Sequence, residues 1–230
     1  VELDDNRMKA EYALSHRSAL YRITFEADKP VYIIINSRNG SIHVGENLIS
    51  GHQQLSDNTN VYVYIEPQEK PVSTGVLENG VIEASKDNAN GTNACAAWRF
   101  ADGTTTINLR YGISFISEEQ AEKNLRSELG DYDINKLAET GRRIWNEALG
   151  RIKVEGGTEN DKTVLYSSFY RTFERPICMS EDGGLYFSAF DGKVHNDNGI
   201  PFYTDDWIWD TYRAAHPLRT LIDRKKEEDI

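Results

Sequence analysis

The segment Thr104–Gln120, TTTINLRYGISFISEEQ, marks the point at which this sequence of 230 residues changes from strands to helices. Its first part, Thr104–Phe115, has the composition of a long strand. Ser117 and Gln120 then have the spacing of a capping box, in which the Ser hydroxyl accepts a hydrogen bond from the first turn of a helix. No helical period appears before Ser117. The sequence therefore predicts a β domain followed by helices.

Short strands separated by turn residues predict a β-sandwich in the first part of the chain. Ala19–Phe25 alternates between apolar and polar residues, which indicates a half-buried strand. Val31–Ile35 is continuously β-branched or aromatic, which predicts a strand covered on both faces. The pairs Asn39-Gly40 and Asn79-Gly80 predict hairpins, because both residue types tolerate a positive φ.

The second part of the chain predicts about five helices from helical spacing and capping residues. The first helix is expected to end at about Leu129, and Asp133 can cap the second. Thr158 and Asp161 repeat the capping-box spacing and open a third helix that is expected to end at Phe173. The charged residues 223–229 are expected to form a solvated helix end.

The run Tyr203–Leu218, YTDDWIWDTYRAAHPL, combines tryptophans, carboxylates, an arginine and a histidine. Thr204 is expected to cap a helix there, with Asp205 and Asp206 in its first turn, where the helix dipole favours negative charge. Asp210 lies one turn further along and has no such structural explanation.

This mixture of side chains has two interpretations. Aromatic rings can cover the apolar C–H face of a sugar, while carboxylates and Arg bind its hydroxyls. Alternatively, the aromatic residues belong to the core, and Asp210 pairs with Arg213 at i, i+3 on a helix surface.

The segment 209–218, WDTYRAAHPL, resembles a signature of glycoside hydrolase family 92, the calcium-dependent exo-acting α-mannosidases. Further segments are similar to other parts of that family and follow in the same order. They are YGISFIS at 111–117 with Glu119, Ala121, Asn124 and Leu125, WNEALGRIKV at 145–154, FYRTF at 169–173 with Pro176, and DGGLY at 182–186 with Asp191. The resemblance covers roughly residues 105 to 218.

The resemblance implies a multidomain fold, β then α. It consists of a supersandwich-like β-sandwich, a helical linker and the first helices of an (α/α)6 barrel. The expected boundaries are 1–116 for a partial sandwich, 117–150 for the linker and 151–230 for the truncated catalytic domain. The remainder of the same protein is therefore an expected partner of this chain.

The resemblance also implies part of an exo-acting, inverting α-mannosidase that hydrolyses terminal α-mannosides of N-glycans or mannans. Trp209 and Asp210 match the family's Trp-Asp pair, and Asp210 is expected to accept hydrogen bonds from mannose hydroxyls. Arg213 and His216 match the motif too and are expected to support the binding residues. At Asp206 the family generally has a small hydroxyl residue instead.

Calcium is the cofactor that the resemblance implies, with ligands outside this chain. The family's general acid, general base and calcium ligands lie later in the helical domain, so neither a catalytic residue nor a metal ligand is expected here. Asp182, Asp191 and Asn196–Asn198 do crowd one loop region. They have two interpretations, a weak calcium site or a solvated turn, and the turn is favoured because Asp and Asn bond their own backbone there.

Composition excludes two classes of partner. The net charge of -11 argues against nucleic acid, whose phosphates require a basic surface. No apolar run reaches the roughly 18 residues of a membrane helix, so no membrane span is expected. The expected partners are mannose-containing glycans. Enzymes of the family generally work outside the cytoplasm, so a secreted, periplasmic or cell-surface location is expected.

Two alternatives remain open from the sequence. The first is a noncatalytic carbohydrate-binding protein of the same fold, in which Trp98, Tyr111, Tyr62 and Tyr64 form an aromatic platform, although aromatic residues in strands are more often core. The second is a phosphorylase on a similar plan, because a fold does not fix a function.

Overall fold

The computed structural model of the chain describes residues 1–3, 8–26, 29–204 and 206–230. Its contacts divide the chain into two compact units. The first, here called the sheet unit, comprises residues 1–139 and 188–193. The second, the helical unit, comprises residues 140–187 and 194–230.

Ten strands in the described part of the chain form one antiparallel sheet. They are β1 Glu2–Leu3, β2 Met8–Leu14, β3 Ser18–Thr24, β4 Tyr32–Val44, β5 Ile49–Ser56, β6 Thr59–Pro67, β7 Ser73–Glu78, β8 Val81–Glu83, β9 Asn88–Arg99 and β10 Thr106–Ser114. Their order across the sheet is β1-β2-β3-β10-β6-β5-β4-β9-β7-β8. All these strands precede the first helix, which confirms the predicted order of strands and then helices.

The main core is built from side chains of neighbouring strands. Ile107, Ile65, Ile49, Ile42 and Trp98 come from β10, β6, β5, β4 and β9 in that order, and each is at most 2% exposed. Full burial of one large apolar side chain contributes about 1.5–3 kcal/mol. Burial of this row therefore holds the middle of the sheet together.

The prediction of a hairpin at Asn39-Gly40 is wrong, because β4 continues through both residues. The strand pairs with β9 on both sides of this point, from Tyr32 opposite Arg99 to His43 opposite Asn88. Asn39 does adopt a positive φ of 49°. A Cβ on Gly40 would lie only 1.9 Å from the carbonyl oxygen of His52, so Gly40 permits close approach of β5.

The prediction that Val31–Ile35 is covered on both faces is also wrong for β4. Ile33 is 8% exposed, whereas its neighbours Tyr32 and Ile34 are 46% and 54% exposed. The strand therefore alternates, as in a sheet with one covered face. The hairpin at Asn79-Gly80 is confirmed, since Glu78 pairs with Val81 and both turn residues have positive φ.

The first helix, α1 (Glu118–Glu128), belongs to the sheet unit and packs on the ten-stranded sheet through its buried face. Ser117 Oγ accepts a hydrogen bond from the Gln120 amide at 3.1 Å, which confirms the predicted cap. Leu125 is fully buried in a second core cluster with Leu20 of β3. A Cβ on Gly112 of β10 would lie 2.5 Å from the carbonyl oxygen of Ala121, so Gly112 allows the helix to lie directly on the strand.

Five further helices and one small sheet lie in the rest of the described chain. They are α2 Ile134–Leu149, α3 Glu159–Arg171, α4 Ile208–Thr211, α5 Ala215–Ile222 and α6 Arg224–Asp229, with a two-stranded sheet of β11 Leu185–Ser188 and β12 Lys193–Asn196. None of the helices in the described residues has the length and apolar character required to cross a bilayer.

The predicted helix starts at Asp133 and Thr158 are confirmed. Asp133 Oδ1 accepts from the amides of the residues two and three positions later, each at 3.1 Å. Thr158 Oγ1 accepts from the Asp161 amide at 3.2 Å, and Asp161 Oδ2 accepts from the Thr158 amide at 2.9 Å, a complete capping box. The Thr158 amide and hydroxyl, as hydrogen-bond donors, hold the pKa of Asp161 below its usual value.

Candidate functional site

The residues just before α4 pair with the segment that follows α3. The Thr204 amide donates to the carbonyl of Ile177 at 2.8 Å, and Thr204 Oγ1 accepts from the Ile177 amide at 3.0 Å. The Met179 amide likewise donates to the carbonyl of Phe202 at 2.7 Å. The prediction that Thr204 caps a helix is therefore wrong. Asp205, expected in the first turn of that helix, lies outside the described residues.

The helix within the motif is a single turn, α4, that presents Trp209 and Asp210 to solvent. Its turn is closed by the Trp207 carbonyl, which accepts from the amides of Asp210 at 2.8 Å and Thr211 at 3.3 Å. Trp209 is 87% exposed and Asp210 is also exposed. Trp209 is thus not a core residue in this structure.

The Asp210 carboxylate makes no hydrogen bond or ion pair with any residue that the structure describes, so the surface pair between Asp210 and Arg213 is not formed. Arg213 is exposed; its Nε donates to the Tyr212 hydroxyl at 2.7 Å, and its guanidinium lies 5.4 Å from the centre of the Tyr212 ring. Both oxygens of Asp210 therefore remain available to hydroxyl donors.

His216 lies in a largely buried group of ionisable side chains, here called the Arg219 cluster and defined as Asp206, His216, Arg219 and Glu227. His216 Nδ1 lies 2.5 Å from Glu227 Oε1, and Nε2 lies 3.3 Å from Asp206 Oδ2. His216 Nε2 also lies 3.2 Å from Thr211 Oγ1, at the end of α4.

Arg219 occupies the centre of this cluster. Its side chain is 8% exposed, and it pairs through Nη2 with Asp206 Oδ2 and through Nε with Glu227 Oε2, the latter at 2.9 Å. Nη1 donates to the carbonyl of Arg175 at 2.9 Å. A guanidinium buried in this way requires such carboxylate partners, because an unpaired buried charge is very costly.

Two predictions about these acids are wrong. Asp206 does not lie in the first turn of a helix; its side chain is 7% exposed and pairs with Arg219. Most of the charged run 223–229 does form a helix, α6 (Arg224–Asp229), but the Glu227 side chain is only 16% exposed and so is not a solvated one. Both acids are drawn inwards because Arg219 is buried and needs compensating negative charge.

Sequence reasoning misses Arg219 entirely, although one signal points to it. Arg219 follows His216 by three residues, so both side chains lie on the same face of α5. That spacing indicates a shared partner, but it does not show which acid supplies it. Asp206 and Glu227 come from separate segments, and only the tertiary fold brings them together.

A second ion pair fixes the junction between α5 and α6. Arg151 Nη1 lies 2.5 Å from Asp223 Oδ2. The hydrogen bond from Arg151 holds the pKa of Asp223 below its usual value, and this outweighs the opposing effect of burial. Asp223 is therefore ionised at neutral pH and keeps its pairing with Arg151.

No three His, Cys, Asp or Glu side chains of the described residues form a group that could hold a metal ion. In the Arg219 cluster the Arg219 guanidinium already occupies the space between the carboxylates of Asp206 and Glu227, where a cation would have to bind. In the loop region, Asp191 Oδ1 and Asp197 Oδ1 each accept from the amide two residues later, at 3.2 and 2.9 Å. These are turn hydrogen bonds of the kind that Asp favours, as the interpretation of a turn expects.

A cavity of about 550 Å³ lies within the sheet unit. Apolar side chains such as Ile33, Val63 and Leu109 form most of its wall, and no carboxylate of the described chain lines it. Glycoside hydrolysis usually needs two carboxyl groups, so this cavity does not fit that chemistry. The aromatic platform is also wrong for Trp98, which is 0% exposed.

Comparison with known proteins assigns both parts of the chain. Residues 1–114 match the glycosyl hydrolase family 92 N-terminal domain, and residues 120–230 match the catalytic domain of the same family. The chain therefore contains the N-terminal domain and the start of the catalytic domain of a glycoside hydrolase. It belongs to glycoside hydrolase family 92.

Three relatives illustrate the likeness. An inverting mannosidase of family 92 from Bacteroides thetaiotaomicron VPI-5482 is 28% identical, with a TM-score of 0.85 over 96% of this chain and 31% of its own. A family 92 α-mannosidase from Bacteroides thetaiotaomicron is 22% identical, with a TM-score of 0.88 over 100% of this chain and 33% of its own, which shows the fold alone. An uncharacterized secreted glycosidase from Arthroderma benhamiae is 31% identical over 102 residues, 39% of this chain and 13% of that protein. The chain thus spans about a third of the two solved structures.

Proposed function

We propose that this chain is part of an exo-acting, inverting α-mannosidase that hydrolyses terminal α-mannosides of N-glycans or mannans. The observation that carries the proposal is the exposed, unpaired Asp210 beside the exposed Trp209, inside the region matched by the family's catalytic domain. The inverting mannosidase among the solved relatives supports the reaction type.

In this proposal Asp210 accepts hydrogen bonds from two adjacent mannose hydroxyls, one on each carboxylate oxygen. Charge-assisted hydrogen bonds of this kind are stronger than neutral ones and fix the orientation of the sugar. Trp209 covers the apolar face of the ring. The general acid and the general base, which an inverting enzyme holds about 6.5–9.5 Å apart, belong to the part of the protein outside this chain.

Replacement of Asp210 tests the proposal in the full-length protein. Two hydrogen bonds to a charged group contribute about 1.5–3 kcal/mol each. Since about 1.4 kcal/mol corresponds to a tenfold change in rate, Asp210→Ala is expected to lower kcat/KM for an aryl α-mannoside by at least roughly 100-fold. Asp57→Asn, at an exposed turn of the sheet unit, is the matched control and is expected to retain activity.

Near-normal turnover by Asp210→Ala contradicts the role of Asp210. Binding of mannosides by the full-length protein without any hydrolysis contradicts the enzyme and supports a noncatalytic carbohydrate-binding protein. Release of mannose 1-phosphate only when phosphate is added identifies a phosphorylase instead.

We also propose calcium as the cofactor, with its ligands outside this chain. A bound calcium ion would coordinate oxygen atoms of the sugar hydroxyls. Activity of the full-length protein is expected to disappear on chelation and to return with calcium but not with magnesium. Activity that resists exhaustive chelation contradicts this cofactor.

The proposed location is outside the cytoplasm, as a secreted, periplasmic or cell-surface protein. The curated fungal relative is described as secreted, which supports this location. Fractionation of the native host, with antibodies against the chain, tests it. Recovery of the protein only in the cytosolic fraction contradicts it.

A further inference from the structure

The one-turn helix that carries Trp209 and Asp210 has little stability of its own. Four residues, Ile208–Thr211, are far too few for an isolated helix, and no side chain caps its start. Both Trp209 and Asp210 are exposed, so neither side chain anchors the turn by burial. The position of the turn must therefore be determined by its flanking residues.

Both flanks of this turn are attached to the Arg219 cluster. On the N-terminal side, Asp206 Oδ2 pairs with Arg219 and lies 3.3 Å from His216 Nε2. On the C-terminal side, Thr211 Oγ1 lies 3.2 Å from the same His216 nitrogen. The two ends of the segment 206–211 thus meet on two neighbouring side chains of α5.

Arg219 also fixes the residue that contacts Trp207. Its Nη1 donates to the Arg175 carbonyl at 2.9 Å, and the Arg175 guanidinium lies 3.9 Å from the centre of the Trp207 ring. The Trp207 carbonyl in turn accepts the amides that close the helical turn. Arg219 therefore holds the segment through Asp206 and also through Arg175 and Trp207.

We propose that Asp206 and Arg219 are positioning residues for sugar binding, whose buried ion pair holds Trp209 and Asp210 in the orientation that receives mannose. This inference rests on the proposed function. Neither residue contacts the sugar; each acts through the placement of the segment 206–211. Because the planar guanidinium contacts three segments at once, Lys is not expected to replace Arg219.

A combined-substitution experiment in the full-length protein tests this role. Asp206→Asn keeps the shape of the side chain but removes the charge that pairs with Arg219. It is expected to lower kcat/KM for an aryl α-mannoside by roughly 10-fold to 100-fold in the native background. In a background that carries both Trp209→Ala and Asp210→Ala the same change is expected to lower it by less than about 3-fold, because both residues through which it acts are absent.

A second readout does not depend on activity. Hydrogen–deuterium exchange of the peptide containing 207–212 is expected to be at least about 10-fold faster in Asp206→Asn and Arg219→Lys. Peptides of α1 are expected to be unchanged. Glu228→Gln, which alters an exposed acid of α6, is the control and should exchange as the native protein does.

The outcomes separate the two proposals. If the native protein shows no mannosidase activity but exchange at 207–212 increases in both variants, the proposed function fails, while the attachment of the segment 206–211 through Asp206 and Arg219 is supported. If Asp206→Asn lowers activity equally in the native background and in the background without both Trp209 and Asp210, or if exchange is unchanged, the positioning role is wrong. Thr211→Val removes the other attachment of the segment and gives the same test if Arg219→Lys does not fold.

Discussion

Replacement of Glu66 by Gln should loosen the attachment of α1 to the sheet. Glu66 of β6 is 12% exposed in its side chain and accepts hydrogen bonds from two arginines. Arg110 Nε donates to Oε2 at 2.8 Å, and Arg126 Nη1 donates to the same oxygen at 2.7 Å, while Arg126 Nη2 donates to Oε1. Arg126 belongs to α1 and Arg110 to β10, so one carboxylate joins three elements.

The loss of stability expected from Glu66→Gln depends on how deeply the ion pairs of Glu66 are buried. Removal of one partner from a fully buried ion pair costs about 3–5 kcal/mol. Arg126 is 41% exposed, so solvent screens its part of the interaction. The Gln carbonyl oxygen also keeps one acceptor. We therefore expect Glu66→Gln to lower the free energy of unfolding by about 2 kcal/mol, which for a domain of this size is about 4–8 °C in Tm.

The stability that Glu66 contributes should depend on pH, and the direction of its pKa shift determines how. Burial raises the pKa of Glu66, but the hydrogen bonds from Arg126 and Arg110 outweigh it and hold that pKa below the usual value. A folded-state pKa below the unfolded one adds stability above about pH 4.3, the ordinary value for Glu, and loses it as pH falls through the folded value. The difference between native and variant protein should therefore be constant near neutral pH and shrink below about pH 4.

Calorimetry of the full-length protein between pH 3 and 8 measures the loss of stability caused by Glu66→Gln and its change with pH. Glu122→Gln is the matched control, because Glu122 contacts the same Arg126 at 3.2 Å but is 42% exposed. That change should cost about 0.5 kcal/mol or less. Equal destabilisation by the two substitutions, or a Glu66→Gln effect that grows as pH falls, refutes the reasoning.

Two further substitutions test the packing and the caps. Gly112→Ala places a Cβ 2.5 Å from the Ala121 carbonyl oxygen, so we expect it to lower the free energy of unfolding by about 1–3 kcal/mol, measured by thermal unfolding. Gly130→Ala is the control and should be nearly neutral, because the added Cβ meets no atom within 4 Å. Thr158→Ala removes one half of the capping box of α3 and should cost about 1 kcal/mol, seen as faster hydrogen exchange at the start of that helix.

Local signals predict the elements whose stability is local. The capping residues Ser117, Asp133 and Thr158 make the expected hydrogen bonds, because a cap depends only on residues two or three positions away. The Asn79-Gly80 hairpin forms for the same reason. Asn39-Gly40 has the same chemistry, but there the long pairing of β4 with β9 overrides the turn.

The candidate site likewise has a part that the sequence predicts and a part that only the tertiary fold reveals. The resemblance to the family's Trp-Asp pair singles out Trp209 and Asp210 as candidates, and the structure leaves both side chains exposed on one turn. The residues that anchor this turn are not predictable from spacing, because Asp206, Arg219 and Glu227 come from three separate segments. Only burial of Arg219 shows that these charges belong together.

Asp206 shows how a sufficient local explanation can still be wrong. An acid near the start of a helix gains about 0.3–1 kcal/mol from the helix dipole, which is much less than the cost of leaving a buried guanidinium without its partner. The ion pair with Arg219 is the stronger interaction and therefore determines where the Asp206 side chain lies. An acid at position 206 and an arginine at position 219 are thus expected to occur together in homologues. Family members that carry a small hydroxyl residue at position 206 should therefore lack Arg at position 219. An alignment of homologues measures this directly, and frequent occurrence of Arg219 beside a Ser or Thr at position 206 would show that Glu227 and His216 alone satisfy the guanidinium.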